Sequence, residues 1–318
     1  MSTNKLHELI HHFKTLNRDM KNGGAPHKPI LLLALLRLIG RGEVNSRFIE
    51  VSPDLVFEFK TIWSKLVETN HQSHAYLPFY HMKSEPFWKL LPKYDIKLSG
   101  IRIKSLTALR EMFEFAEIDV NYFPLLLDKT NRELLMEELL STYFPSTKDN
   151  YKSIDLTKEN KSDIIFEDEQ IHKEKLEELR STMDKIQFEE EVFVRSGIFK
   201  RELPKLYNYQ CAITGLQISA LTSVQMVDAC HIIPFSISRN DTVKNGFCLT
   251  PTLHRAFDRG LIAITENYKV KTSSLIKENQ SVYAIKQFED KQIFLPNNAE
   301  HYPDLAYFKW HKEEKFLK

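Results

Sequence analysis

The sequence has no run of about 18 consecutive apolar residues, the least that a bilayer-crossing helix needs, and its opening MSTNKLHELIHHF carries no signal-peptide hydrophobic stretch. A soluble, cytoplasmic protein with no membrane partner is expected. Cysteine is scarce: Cys211, Cys230 and Cys248 are the whole supply. An odd number confined to the second half argues against a disulfide framework and for reduced thiols. No internal repeat is visible. Net charge is nearly absent as well, with 44 basic and 43 acidic residues giving +1. What is present is 42% hydrophobic residues over 318 positions, enough to bury a core in one large domain or two ordinary ones.

The near-zero net charge hides a pattern. Residues 1–110 hold 17 Lys and Arg against 9 Asp and Glu, residues 111–190 hold 10 against 21, and residues 191–318 hold 17 against 13. Two basic regions flank an acidic one. Basic domains meet polyanions because neutralising phosphates releases condensed counterions, so nucleic acid becomes a candidate partner, against the plainer reading of solvated faces that cluster by chance.

Leu6, Leu9, Ile10, Phe13 and Leu16 fall at helical spacing, and NGGAPHKP then breaks the chain before a second helix, ILLLALLRLI, which is apolar almost all round and therefore buried. Ser52-Pro53 reads as a cap and first helical residue for LVFEFKTIWSKLV. The segment HQSHAYLPFYHMKSEPFWKLLPK is dense in aromatics, histidines and prolines, and reads as a shaped surface or loop. Residues 123–144 read as one amphipathic helix. From Ser146 the composition turns charged, which predicts an acidic linker over 146–185 between domains at 1–145 and 186–318. In the second domain, Phe188 to Tyr207 reads as helix, QCAITGLQIS, SVQMVDACHIIPF and NGFCLT as strands, PTLHRAFDRG as a short helix with Thr250 as N-cap, Pro251 next and Gly260 at its end, and LIAITENYKVKTS as two strands about an Asn turn.

His231 ends the apolar strand, Asn245 precedes the next, and His254 sits on the short helix. The ordered set HIIP, NG and LHRAFDRG resembles the HNH endonucleases, whose ββα-metal unit places a catalytic His, an Asn and a metal-binding His in this order. The resemblance implies an α+β chain with a ββα-metal nuclease domain, His231 as general base, His254 as ligand to one Mg²⁺ or Mn²⁺, and Asn245 either orienting the base loop or lending its oxygen to the metal. An imidazole that titrates near neutrality suits the base, and a divalent cation suits the charge on phosphate and leaving oxygen. Where many members have a metal-binding Asp before the base, this chain has Cys230, a soft and poor Mg²⁺ ligand. Two carboxylates are alternatives. Asp258 is four residues from His254 on the same helix face. Asp228 shares Cys230's side of the strand, opposite His231, and is expected to need a bend to reach the cation. Each CxxC pair that holds structural zinc in many members has kept at most one cysteine, so no structural zinc is expected.

APHKPILLLALLRL and YLPFYHMKSEPFW, with the ending IFLPNNAEHYPDLAYFKWHKEEKF, resemble bacterial HNH restriction endonucleases whose mainly helical N-terminal domain includes sulfur-binding domains that read phosphorothioated DNA. The resemblance covers nearly the whole chain. It implies a DNA-recognition pocket from His27, Lys28, Tyr76, Pro78, Phe79 and His81, where apolar walls meet cationic donors. The usual Tyr-Pro-Phe-Trp-Arg order is altered by an inserted Leu77 and lacks the Arg, which leaves open sulfur, another modification or plain sequence readout. The expected function is restriction of foreign or modified duplex DNA. The alternatives are a nicking or structure-directed nuclease of repair or mobile elements, and a DNA-binding regulator inactivated through Cys230. Double-strand cleavage by one-metal domains implies two protomers.

Overall fold

The computed structural model describes residues 2–94, 101–155, 161–218 and 226–318. Among them the chain forms two compact units, one of residues up to 155 with 183–194, the other of 161–182 with 195–318. The charged 146–185 stretch is thus divided between them. The fold is α+β: helices dominate and the sheets are small. No helix among the described residues is long and apolar enough to cross a membrane.

In the first unit, α1 (Ser2–Lys14), α2 (His27–Gly40), α3 (Pro53–Leu66), α4 (Tyr76–His81), α5 (Leu106–Met112), α6 (Phe123–Leu127), α7 (Lys129–Tyr143) and α8 (Lys148–Tyr151) accompany β1 (Phe48–Ile49), β2 (Trp88–Pro92) and β3 (Phe113–Ile118). Helix α2 is the centre, its residues from Ile30 to Leu36 almost fully buried and packed by α3, α4 and α7. Ser52 caps α3, accepting from Leu55 N–H at 3.1 Å. Two buried carboxylates anchor this core: Glu58 takes Arg37 and Arg41, the latter at 2.7 Å, and Glu85 takes Lys28. The three strands form an antiparallel sheet in the order β1-β3-β2. Besides this sheet, which the sequence reading did not expect, two helical features differ from it. The aromatic segment folds partly into α4, because Pro78 falls in its first turn, where no helical N–H is required of it. Residues 123–144 divide at Asp128, whose carboxylate caps α7 through Asn131 N–H at 2.9 Å.

The second unit begins with α9 (Glu169–Thr182) and the part of α10 (Lys185–Leu206) after residue 194. Strand β4 (Asp228–His231) precedes α11 (Phe235–Ser238); β5 (Gly246–Leu249), α12 (Pro251–Asp258), β6 (Ile262–Ile264), β7 (Val270–Thr272) and α13 (Leu305–Glu314) follow. β4 pairs antiparallel with β5 and β6 with β7. Residues 210–217, read as strand, form a turn closed by a bridge between Gln210 and Gln217. Of the expected strand SVQMVDACHIIPF, Ser223 to Gln225 lie outside the described residues, as does Ser219. Phe247, Phe257 and Phe308 fill the core, Phe247 meeting each of the others edge-on. Gly260 ends α12 with a φ of 70°, and a Cβ there would lie 1.9 Å from the Lys315 carbonyl oxygen. Only glycine lets the C-terminal segment close on that turn.

Candidate active site

The β4–β5 hairpin and α12 position the three residues read from the motif. His231 pairs with Gly246 across the hairpin. A Cβ on Gly246 would fall 2.5 Å from Phe199 Cζ, so the glycine makes room for the Phe199 ring. That ring stacks on the His231 imidazole at 4.1 Å and 10°. The other constraint on His231 is a hydrogen bond from Nε2 to Asp241 Oδ1 at 2.7 Å. A carboxylate only accepts, so Nε2 carries the proton and Nδ1 keeps its lone pair. The His231 side chain is 17% exposed and that of Asp241 is fully buried. The imidazole therefore reaches solvent while its orienting partner does not.

Asp241 is held from behind. Its backbone N–H donates to His172 Nε2 at 3.4 Å, and His172 Nδ1 meets Glu167 Oε2 at 3.0 Å. Since Nε2 accepts, Nδ1 donates, which is the neutral tautomer. Burial, helped by Arg195, lowers the His172 pKa and keeps that form. Arg195 Nη1 lies 3.8 Å from Glu167.

Asn245 is completely buried. Its Oδ1 accepts Ile233 N–H at 2.9 Å, and its Nδ2 donates to the carbonyls of Ile233 at 2.9 Å and Asn240 at 3.0 Å. Both ends of the amide thus tie down the loop that links His231 to Asp241. Asn240, Asp241 and Thr242 are all fully buried. The sequence reading passed over Asp241 and His172. Its one available signal was this polar run between two apolar strands, which a solvent-facing turn also explains.

On the other side of β4, His254 of α12 stands between two carboxylates, with Nδ1 3.1 Å from Asp228 Oδ2 and Nε2 3.5 Å from Asp258 Oδ2. Asp228 reaches His254 without a bend in β4, because α12 packs over the face that it shares with Cys230. Ligand atoms of Cys230, His254 and Asp258 lie within 4.8 Å of one another. Burial, then the neighbouring Asp258, pushes the Cys230 thiol well above its ordinary range. It presents a neutral thiol at the back of the cluster. The two carboxylates are about half exposed, at 47% for Asp228 and 57% for Asp258. Within that cluster one imidazole and the accessible Asp258 carboxylate are donors that suit a hard divalent cation, while Asp228 meets the opposite ring nitrogen of His254. All three cysteines are buried and unpaired.

In the first unit, His27, Lys28, Pro78 and His81 line a pocket of about 650 Å³ together with Arg18, Leu77 and Lys83. Tyr76 and Phe79 turn inward instead, at 6% and 1% exposure. Phe79 packs edge-on against Trp88 at 5.2 Å. Burial lowers the His27 pKa to about 4, outweighing its bond to the Gln72 carbonyl, and burial with the adjacent Lys28 and Lys83 also lowers that of His81.

No curated protein matches the chain. Among solved structures, the modification-dependent TagI restriction endonuclease is similar over 36% of this chain and 36% of its own, at 20% identity and a TM-score of 0.26. The chain thus spans about a third of that relative. The HNH endonuclease family model matches residues 211–265, the stretch that carries Asp228, His231, Asp241, Asn245, His254 and Asp258. Residues 211–265 are an HNH endonuclease domain.

Proposed function

We propose that the chain is a metal-dependent DNA endonuclease that hydrolyses phosphodiester bonds, with the first unit recognising duplex DNA and the second cutting it. The observation that carries the reading is the His231–Asp241 bond of 2.7 Å. It fixes a partly exposed imidazole in the tautomer that a general base requires. His231 Nδ1 takes a proton from water, the resulting hydroxide attacks phosphorus, and the bond to the 3′ oxygen breaks. Asp241 is a positioning residue whose charge offsets that of the imidazolium. Asn245 fixes the loop that joins the two. His254 and Asp258 would hold one Mg²⁺ or Mn²⁺, with Asp228 at the other ring nitrogen of His254 as the alternative carboxylate. When bound, such an ion supplies charge neutralisation at the scissile phosphate and the departing oxygen.

The biological task proposed is restriction of foreign or modified DNA. One such site cuts one strand, so double-strand cleavage would use two protomers. A nicking enzyme would use the same residues and stop after one strand. A DNA-binding regulator would not cut. The test is incubation of supercoiled plasmid, unmodified, methylated or phosphorothioated, with Mg²⁺ or Mn²⁺, beside the His231→Ala variant. Linear product supports restriction and an open circle alone supports nicking. Intact plasmid under every condition would overturn the enzyme reading.

A further inference from the structure

The pocket of the first unit is chemically divided, and the division specifies a ligand. Two cationic heads line it beside Lys28. The Arg18 guanidinium lies over the Tyr143 ring at 4.3 Å and donates to the Ala25 carbonyl at 3.2 Å. Lys83 Nζ lies over the Tyr80 ring at 3.8 Å. Gly24, at φ 88°, keeps Arg18 in place, because a Cβ there would meet the guanidinium at 3.2 Å. The third cation, Lys28, is buried, paired with Glu85, and bonded to Ser84 Oγ at 2.7 Å. It adds little net charge to the interior.

Besides these cations the lining carries one carboxylate, Asp19, with Leu77, Pro78 and the His27 ring among its other members. Leu77 and Pro78 supply its apolar part. His27 supplies a neutral ring, with its pKa near 4. Its Nε2 donates to the Gln72 carbonyl at 2.8 Å, which leaves Nδ1 as an acceptor. A bare anion would leave Leu77, Pro78 and the His27 ring without a partner. The volume of about 650 Å³ falls within the roughly 300–1,000 Å³ of small-molecule sites.

We infer that this pocket receives one nucleotide turned out of the duplex, its base against Leu77 and Pro78, a base amino group facing His27, and its phosphate at Arg18 and Lys83. The inference rests on the proposal that DNA is the substrate. It narrows recognition to bases that carry an exocyclic amine, adenine and cytosine foremost, and it makes a substituent on the base a direct occupant of the pocket.

Saturation-transfer NMR on the full chain in metal-free buffer tests this with dAMP, dCMP and dTMP. Transfer to the base protons is expected, several-fold stronger for dAMP and dCMP than for dTMP. Leu77→Trp should weaken it several-fold by displacing the base from that wall. Lys83→Glu, at an exposed position, should weaken it several-fold and serves if the first variant does not fold. Inorganic phosphate should compete only partly. Absent base-proton transfer, transfer equal for all three, transfer unchanged in both variants, or complete displacement by phosphate would each overturn the inference. Since no cleavage is measured, failure of the nuclease reading shows separately: plasmid cutting without base-proton transfer sinks the pocket alone, and transfer without cutting sinks the enzyme alone.

Discussion

Both units bury polar groups, and they use them differently. In the first unit the buried carboxylates are each closed by cations, Glu58 by the buried Arg37 and the partly exposed Arg41, and Glu85 by Lys28. Pairing answers the cost of desolvation and leaves helices held to one another. In the second unit the buried groups form a chain, Glu167 to His172 to Asp241 to His231, and its last member is partly exposed. A closed pair has no free end on which to do chemistry. An open chain hands its orientation to the one group that meets solvent.

The comparison breaks first at His231. His231→Ala should lower single-turnover cleavage by roughly 10²–10⁴-fold and leave DNA affinity in gel shifts unchanged. Asp241→Asn keeps the shape and loses the charge and the fixed tautomer, so a loss toward the same range is expected, carried by kcat rather than KM. Equal activity in both variants and wild type would show that the chain ends in a core histidine. By contrast, Glu58→Gln should reduce stability and spare the cleavage rate of the folded fraction.

Asn245→Ala tests whether the loop needs its tie. It leaves the Ile233 N–H and two carbonyls without their partner, a cost of about 3 kcal/mol if part of that desolvation is recovered. The urea midpoint should fall accordingly. Unchanged stability would mean that the loop keeps its shape without the amide.

Acid should find a weak point in each unit. Burial lowers His311, stacked on Phe257 at 3.6 Å, from 6.5 to about 4, and His27 likewise. Below pH 6.5 the unfolded chain binds a proton that the folded chain refuses, so stability is full above 6.5 and falls as pH drops toward 4. At pH 5 each histidine should cost about 2 kcal/mol. His311→Gln and His27→Gln should each shrink the difference in urea midpoint between pH 7 and pH 5. An unchanged difference would show that other groups govern acid sensitivity.

The metal cluster separates ligand from bystander. Asp258→Asn and Asp228→Asn should raise the Mn²⁺ concentration for half-maximal binding by roughly 10–100-fold, the range seen when a partner in a metal site is removed, and His254→Ala by at least as much. Calorimetry without DNA reads this directly. A variant with unchanged affinity returns that carboxylate to a structural role.

How legible was all this in the sequence? The order of His231, Asn245 and His254 was readable because a hairpin followed by a helix places local residues together, and the same short-range logic gave Pro251 and Gly260 at the ends of α12. Asp241 was hidden because its contact runs through an irregular loop, and His172 because it arrives from α9, 69 residues away from Asp241 in sequence. The contact of Asp228 with His254 was not legible from strand alternation, which names a face and not what packs on it. In the first unit the sheet escaped notice: β1 has two residues, and β2 ends in Pro92, so neither carries a long alternating pattern. Tyr76 and Phe79 came from the family resemblance, and the structure buries both side chains at 6% and 1% exposure.

The smallest effect expected is at Lys83, and it bears on the first unit's share of DNA binding. Removing one phosphate contact with Lys83→Ala should lower the slope of log affinity against log salt by about 0.9, with affinity at moderate salt falling only several-fold. Lys28→Ala is the matched control. That lysine is closed in its pair with Glu85, so its loss should leave the salt slope alone and lower stability, since Glu85 would then be a buried charge without its cation. Gel-shift titrations at three salt concentrations, with urea unfolding of the same samples, distinguish the two. If Lys28→Ala changes the slope and Lys83→Ala does not, the buried pair opens to DNA, and the contrast between closed pairs in one unit and an open chain in the other fails at this point.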